Sequence, residues 1–210
     1  MYVRREWRPS EASVIELIET HPWALLVSGS EGAPVATNLP LLLDHAQPGG
    51  WRLTGHLARA NAHAAALQAQ PEPVLAIFQG PYSYVTSSWY PGRDMPPTYY
   101  YTAVHCRGRL VFQDAAALRE ALEELVDRME APYPQPWATA EIPEQAITRR
   151  LPRILGFRIE VQQIEAKFKL GQDEPRRDAL AVAEHLLASP RENDRALGAL
   201  VEEYNRGRKD

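Results

Sequence analysis

The chain has a single cysteine, Cys106, in 210 residues. One thiol can form neither an internal disulfide nor a cysteine-rich metal cage, and it reads as core filling in a reducing compartment. Nowhere does an apolar run approach the roughly 20 residues that a membrane span requires. The opening Met1-Tyr2-Val3-Arg4-Arg5-Glu6-Trp7 lacks the apolar stretch of a secretory signal, so a cytoplasmic protein with no membrane partner is expected. Cationic excess is missing too: 23 Lys and Arg stand against 27 Asp and Glu, for a net charge of −4. Nucleic-acid binding normally begins with a basic face that displaces counterions. With no helix-turn-helix pattern either, direct DNA binding is disfavoured. The 6 histidines are scattered, without the paired helical spacing of a zinc enzyme, so no catalytic metal is expected. A Gly-x-Gly-x-x-Gly turn, a phosphate loop, a Gly-x-Ser-x-Gly elbow and an electropositive cysteine nucleophile are all absent, which disfavours the enzyme classes most readily seen in sequence.

What remains is 45% apolar and 24% charged, enough for one sizeable core with a small appendage. Ser10 reads as the cap of a short helix with Val14, Leu17 and Ile18 on its apolar face, ending at His21-Pro22. Trp23 to Ser28 and Val35 to Asp44 read as two strands joined through Glu31-Gly32-Ala33-Pro34, and Trp51 to Gly55 as a third after a Pro-Gly-Gly loop. Asn61 caps a helix over 62–70. Val74 to Phe78 is a short apolar run bounded by Pro73 and Gly80-Pro81, suited to a strand buried on both faces. From Tyr100 to Phe112, Val104, Cys106, Leu110 and Phe112 alternate with His105, Arg107 and Arg109, as in a half-buried strand. Asp114 caps a helix carrying Leu118, Leu122, Leu125, Val126 and Met129, which the prolines at 132, 134 and 136 stop. From Ile154 a long strand changes phase, Phe157, Ile159 and Val161 giving way to Ile164, Ala166, Phe168 and Leu170, so a bulge near Gln162-Gln163 is expected. Two helices, over 176–189 and 190–206, close the chain. Six or seven strands with irregularly placed helices do not make βαβ alternation; the reading is an α+β protein built around a small barrel.

Three clusters can carry chemistry. Leu53-Thr54-Gly55-His56-Leu57-Ala58-Arg59-Ala60-Asn61 sets polar groups between a strand end and a helix start, where amides, the Thr54 hydroxyl and the Arg59 guanidinium suit a phosphate. The plainer reading is a capped helix with Arg59 in a surface ion pair and His56 a structural histidine. Gly80-Pro81-Tyr82-Ser83-Tyr84, Ser87-Ser88-Trp89-Tyr90-Pro91 and Pro97-Thr98-Tyr99-Tyr100-Tyr101 suit a flat aromatic ligand or a neighbouring subunit, and equally well plugs for the barrel ends. In Lys167-Phe168-Lys169-Leu170-Gly171-Gln172-Asp173, the two lysines share the face opposite Phe168 and Leu170. They can neutralise a phosphate or carboxylate there, or stand as ordinary exposed lysines.

Taken together, Gly55 to Asn61, Phe78 to Tyr90, Pro97 to Tyr101 and Lys167 to Gln172 resemble, in order and spacing, segments of the PaiB-type FMN-binding negative transcriptional regulators. The sequence departs from the family where Asn61-Ala62-His63-Ala64 replaces Asn-Pro-x-Trp and where Tyr99-Tyr100 replaces Trp-Asn. The resemblance implies a mainly antiparallel FMN-binding split β-barrel with peripheral helices over 1–174, a C-terminal helical extension over 175–210, and a homodimer with flavin at the interface. It implies that Thr54, His56, Arg59 and Asn61 serve the phosphate and ribityl region. Thr37, Asn38, Leu39 and Pro40 would pass beside the isoalloxazine ring, and Thr98, Tyr100, Lys167, Lys169 and Gln172, of the same chain or of the partner subunit, would complete the pocket. Three functions stay open: a flavin-binding regulator, a flavin-dependent oxidoreductase with His56, Tyr82 or Tyr100 as proton donor, and a cofactor-free dimeric scaffold.

Overall fold

The computed structural model describes residues 1–29, 33–46, 50–70 and 73–209; the turn expected at Glu31-Gly32 and most of the Pro48-Gly49-Gly50 loop lie outside them. Seven strands of the described residues form one sheet in the order β2-β1-β5-β6-β7-β4-β3: β1 (Trp23–Ser28), β2 (Val35–Pro40), β3 (Leu42–Asp44), β4 (Arg52–Ala58), β5 (Val74–Val85), β6 (Thr98–Phe112) and β7 (Ile154–Lys169). The pairings β1 with β2, β1 with β5, β3 with β4 and β4 with β7 are all antiparallel. Among the described residues six α-helices accompany the strands: α1 (Glu11–Thr20), α2 (Ala62–Ala69), α3 (Ala115–Glu130), α4 (Glu144–Arg150), α5 (Arg176–Leu187) and α6 (Glu192–Arg206). The protein is therefore α+β with a mainly antiparallel sheet. No helix among the described residues is long and apolar enough to cross a membrane.

The capping signals act as the sequence suggests, because a cap is a local event. Ser10 Oγ accepts from the Ser13 amide at 3.1 Å, Asn61 Oδ1 from His63 at 2.9 Å, and Asp114 Oδ1 from Ala117 at 2.9 Å. Strand ends follow tertiary partners instead. The expected single strand over 35–44 is two strands: at Leu41 the backbone N–H leaves the ladder for the Pro22 carbonyl at 2.9 Å, and the chain passes from β1 as partner to β4. β2 and β3 are the two outermost strands, so one residue joins both margins of the sheet. β4 continues past Gly55 to Ala58 because Leu57 keeps the buried alternation of Leu53 and Gly55. β5 runs through Gly80-Pro81 instead of stopping there. β1 pairs with β5 only as far as Ile77, so a proline at 81 costs no ladder bond on that side. A Cβ at Gly80 would stand 2.3 Å from Thr102 Oγ1 and 3.0 Å from Leu17 Cδ1; this glycine is a packing position, not a turn. The last two helices are shorter than expected.

The chain divides into two compact units. One comprises Ile18–Phe78 and His105–Ile164. Its core includes Leu26, Leu53, Leu67, Phe78, Cys106, Phe157 and Ile159, all fully buried, and burial pushes the Cys106 thiol up to about 12. The other comprises Met1–Leu17, Gln79–Val104 and Glu165–Asp210. In it α5 and α6 pack through Ala179, Val182, Ala183, Leu186, Leu197 and Val201, and the missing Cβ of Gly198 lets the helices meet, since it would fall 2.9 Å from the Leu187 nitrogen. Asn193 of α6 donates to the Tyr82 carbonyl of β5 at 2.6 Å and accepts from its amide at 3.4 Å. The phase change expected in β7 falls on the exposed stretch 162–164, where the strand leaves the first unit for the second.

Candidate functional site

In the first unit, strand alternation separates the expected contacts of β2. Thr37 and half-buried Val35 share a face with buried Leu39, whereas Asn38 is exposed on the other face, beside Pro40. Leu39 and Leu41 lie over Gly55, where a Cβ would come within 3.3 Å of Leu39 Cδ1 and 2.5 Å of Leu41 Cδ2. Thr54 and His56, half-buried, therefore project from the opposite face of β4, where Thr54 stands across from Arg158 of β7 and His56 across from Gly156. Burial holds His56 below the usual histidine range. Past the strand, the Arg59 amide donates to Arg153 at 2.9 Å and the Asn61 amide to Ala58 at 2.9 Å, which turns the chain into α2. The Arg59 side chain is exposed and makes no hydrogen bond or ion pair among the described residues. Thr37 and Asn61 are brought together: Asn61 Nδ2 donates to Thr37 Oγ1 at 3.3 Å. Two residues the sequence reading passed over complete this network. His63, fully buried, lies with Nδ1 2.8 Å from Thr37 Oγ1 and Nε2 3.0 Å from Ser28 Oγ. Burial lowers the His63 pKa and so favours the neutral ring.

In the second unit, Lys167 and Lys169 project from the face of β7 opposite Phe168, as the alternation requires. Lys167 is 8% exposed, with its ammonium 4.4 Å from the Trp7 ring centre and 5.2 Å from that of Tyr101, an aromatic box for a cation. The Lys169 ammonium donates to Thr98 Oγ1 and lies 5.9 Å from Trp7. Trp7 Nε1–H donates to Asp173 Oδ1 at 3.1 Å, and Arg4 reaches the same carboxylate at 3.4 Å. The negative charge of Asp173 is thus engaged by the N-terminal segment. Gln172 serves the backbone: it accepts from the Leu170 amide and donates to the Phe168 carbonyl, each at 2.7 Å, shaping the turn at Gly171, whose φ is +82°. Tyr100 is fully buried and donates to Glu174, which also accepts from Tyr90 at 3.1 Å. Burial raises the Glu174 pKa despite these two donors. The aromatic cluster divides: Tyr90 and Tyr100 are core, Tyr82, Tyr84 and Tyr99 are exposed, and Trp89 stacks on His185 at 5.3 Å. Trp7 and Glu174 were missed because their partners lie more than 70 residues away, beyond any local pattern.

The family described as "Putative FMN-binding domain" matches residues 1–163. The protease synthase and sporulation protein PAI 2 of Bacillus subtilis (strain 168) is 30% identical over 204 residues, covering 97% of each chain. Among solved structures, the FAD and heme binding protein from Mycobacterium smegmatis aligns with a TM-score of 0.61 at 19% identity over 92% of this chain and 80% of that one. The flavocytochrome Anf3 from Azotobacter vinelandii aligns with a TM-score of 0.55 at 16% identity over 93% and 78%; at such identities these two speak for the fold. The family match and the whole-length likeness to PAI 2 together establish that the chain belongs to the PaiB-type FMN-binding domain family.

Proposed function

We propose that the protein is a PaiB-type, FMN-binding negative transcriptional regulator. On this reading it is a homodimeric split barrel over 1–174 with a helical extension over 175–210, responding to flavin and acting on a partner without reading DNA itself. FMN is the cofactor the family match supports. The residues present fit its chemistry: a dianionic ester needs cationic and hydroxyl donors that the fold has not already consumed. The observation that carries the reading is Arg59, an exposed guanidinium with no partner among the described residues, two positions before the Asn61 cap that binds Thr37.

Arg59, Asn61, Thr54 and His56 are the proposed holders of the phosphate and ribityl region, and Thr37, expected beside the ring, joins them through its bond to Asn61. Lys167, Lys169 and Thr98 are proposed as further cationic and hydroxyl contacts. Asn38, Leu39 and Pro40 keep their proposed place along the ring, and Tyr100 and Gln172 act by shaping their own surroundings. When bound, FMN supplies reversible electron transfer, while protein groups bind and orient it.

The test is the visible spectrum of purified protein, followed by FMN titration of the parent and of Arg59→Ala. Binding should weaken by about 1.5–3 kcal/mol, the range for a hydrogen bond to a charged group, with the melting temperature of the unliganded protein unchanged. Equal affinity in parent and variant removes Arg59 from the site. Specific DNA binding by the purified protein at physiological salt would overturn the indirect mode of action. A flavin-dependent oxidoreductase is the second reading, favoured by the likeness in fold to a FAD and heme binding protein and a flavocytochrome. Bleaching of bound FMN by NADH or NADPH with turnover of an acceptor would select it.

A further inference from the structure

The hydrogen-bond chain Ser28–His63–Thr37–Asn61 has one proton arrangement that leaves no buried donor stranded. Asn61 Oδ1 accepts from the His63 amide at 2.9 Å. That fixes the orientation of the carboxamide, so Nδ2 is the donor to Thr37 Oγ1 at 3.3 Å. A neutral imidazole carries one N–H. If it were on Nε2, the Ser28 hydroxyl would accept from it and would have to donate elsewhere. Ser28 is 2% exposed and has no other acceptor among the described residues, and a buried donor without a partner costs about 1–3 kcal/mol. With the proton on Nδ1, Ser28 donates to Nε2 at 3.0 Å and Nδ1–H donates to Thr37 Oγ1 at 2.8 Å.

Thr37 Oγ1 then accepts twice, from Asn61 and from His63, and both lone pairs are taken. Its own O–H remains, and the half-buried residue can turn it only outward from the network. Resting on the FMN reading above, we propose that His63 is a positioning residue that makes the Thr37 hydroxyl an obligate hydrogen-bond donor, and that this donor meets an acceptor oxygen of FMN. A threonine hydroxyl in solution can play either part; here the acceptor role is closed, which selects against a ligand offering N–H or O–H at that point.

The tautomer is read directly in the unliganded protein from the 15N shifts of the His63 ring. Protonated Nδ1 with bare Nε2 is expected, and protonated Nε2 overturns the proposal whatever the ligand does. FMN and riboflavin are then titrated against the parent, Thr37→Val and Thr37→Ser. Thr37→Val should bind FMN about tenfold more weakly, and Thr37→Ser, which keeps both the network and the O–H, should restore the parent value. Weakening confined to FMN assigns the acceptor to the phosphate; weakening of both ligands assigns it to the ribityl or ring oxygens. Unchanged FMN affinity in Thr37→Val overturns the proposed role while leaving the FMN reading intact. A parent that binds no FMN refutes that reading, and the ligand half of this one with it, even where the Nδ1 proton is found.

Discussion

Of the described glycines, Gly108 of β6 is the one at which an added Cβ would come closest to another atom. A Cβ there would stand 2.1 Å from the carbonyl oxygen of Glu160 and 2.9 Å from its carbon, on the neighbouring strand β7. Carbon and carbonyl oxygen tolerate about 3.3 Å, so the backbones must part by about 1 Å. The obstruction is main chain, and no rotamer relieves it. Forcing a methyl into a filled site costs about 1–3 kcal/mol, and stretching a ladder bond adds about 1 kcal/mol, which together make about 2–4 kcal/mol. For a chain of this size that corresponds to a melting temperature about 5–15 °C lower. The assay is thermal unfolding of parent, Gly108→Ala and Gly29→Ala, the last a control because a Cβ at Gly29 meets nothing within 4 Å. If Gly108→Ala melts within about 2 °C of the control, the close approach of β6 and β7 does not constrain the sheet and the reasoning fails.

Trp7→Phe keeps the ring against Lys167 but removes the N–H that reaches Asp173; a loss of about 1–2 kcal/mol in chemical denaturation is expected, after allowing for partial exposure. Asp173→Asn, which retains a carbonyl acceptor, should lose less, and the reverse order would show that the indole–carboxylate bond is not what holds this segment. Glu174 is an acid whose folded pKa is raised by burial, so its favourable contribution is full below the ordinary value of 4.5 and is lost as pH rises through the folded value. The stability of Glu174→Gln relative to the parent should therefore increase from pH 4 towards neutrality in paired melting curves, and a constant difference would mean that the carboxyl is not perturbed. Double replacement of Lys167 and Lys169 should weaken FMN binding through charge, with an effect that shrinks as salt is raised in the titration; a salt-independent effect would point to packing.

Features decided within a few residues were legible from the sequence. Caps at Ser10, Asn61 and Asp114, the half-buried alternation around Cys106, and the shared face of Lys167 and Lys169 all follow from periods and side-chain chemistry that need no distant partner. Where strands end was not legible, because the end is set by the neighbour. Leu41 leaves the ladder for Pro22, and β5 can pass through Pro81 because its pairing with β1 ends at Ile77. The same divide runs through the candidate site. Nothing in the local sequence shows that Thr37 and Asn61 bond each other, whereas the period of two by itself separates Thr37 from Asn38. His63 lay in plain view inside the capped helix. Its value came only from Ser28 and Thr37, 35 and 26 residues earlier.

The paired bonds between Asn193 and the Tyr82 backbone carry a consequence for the protein at high concentration. A carboxamide offers the same donor and acceptor as one peptide unit, so α6 occupies, with a single side chain, a place where a foreign extended segment would otherwise begin to zip on. Alanine at 193 would leave that rung vacant, next to the exposed rings of Tyr82 and Tyr84. Self-association would then grow with storage time and protein concentration while the melting temperature barely moved: a guard against stickiness, written into one amide.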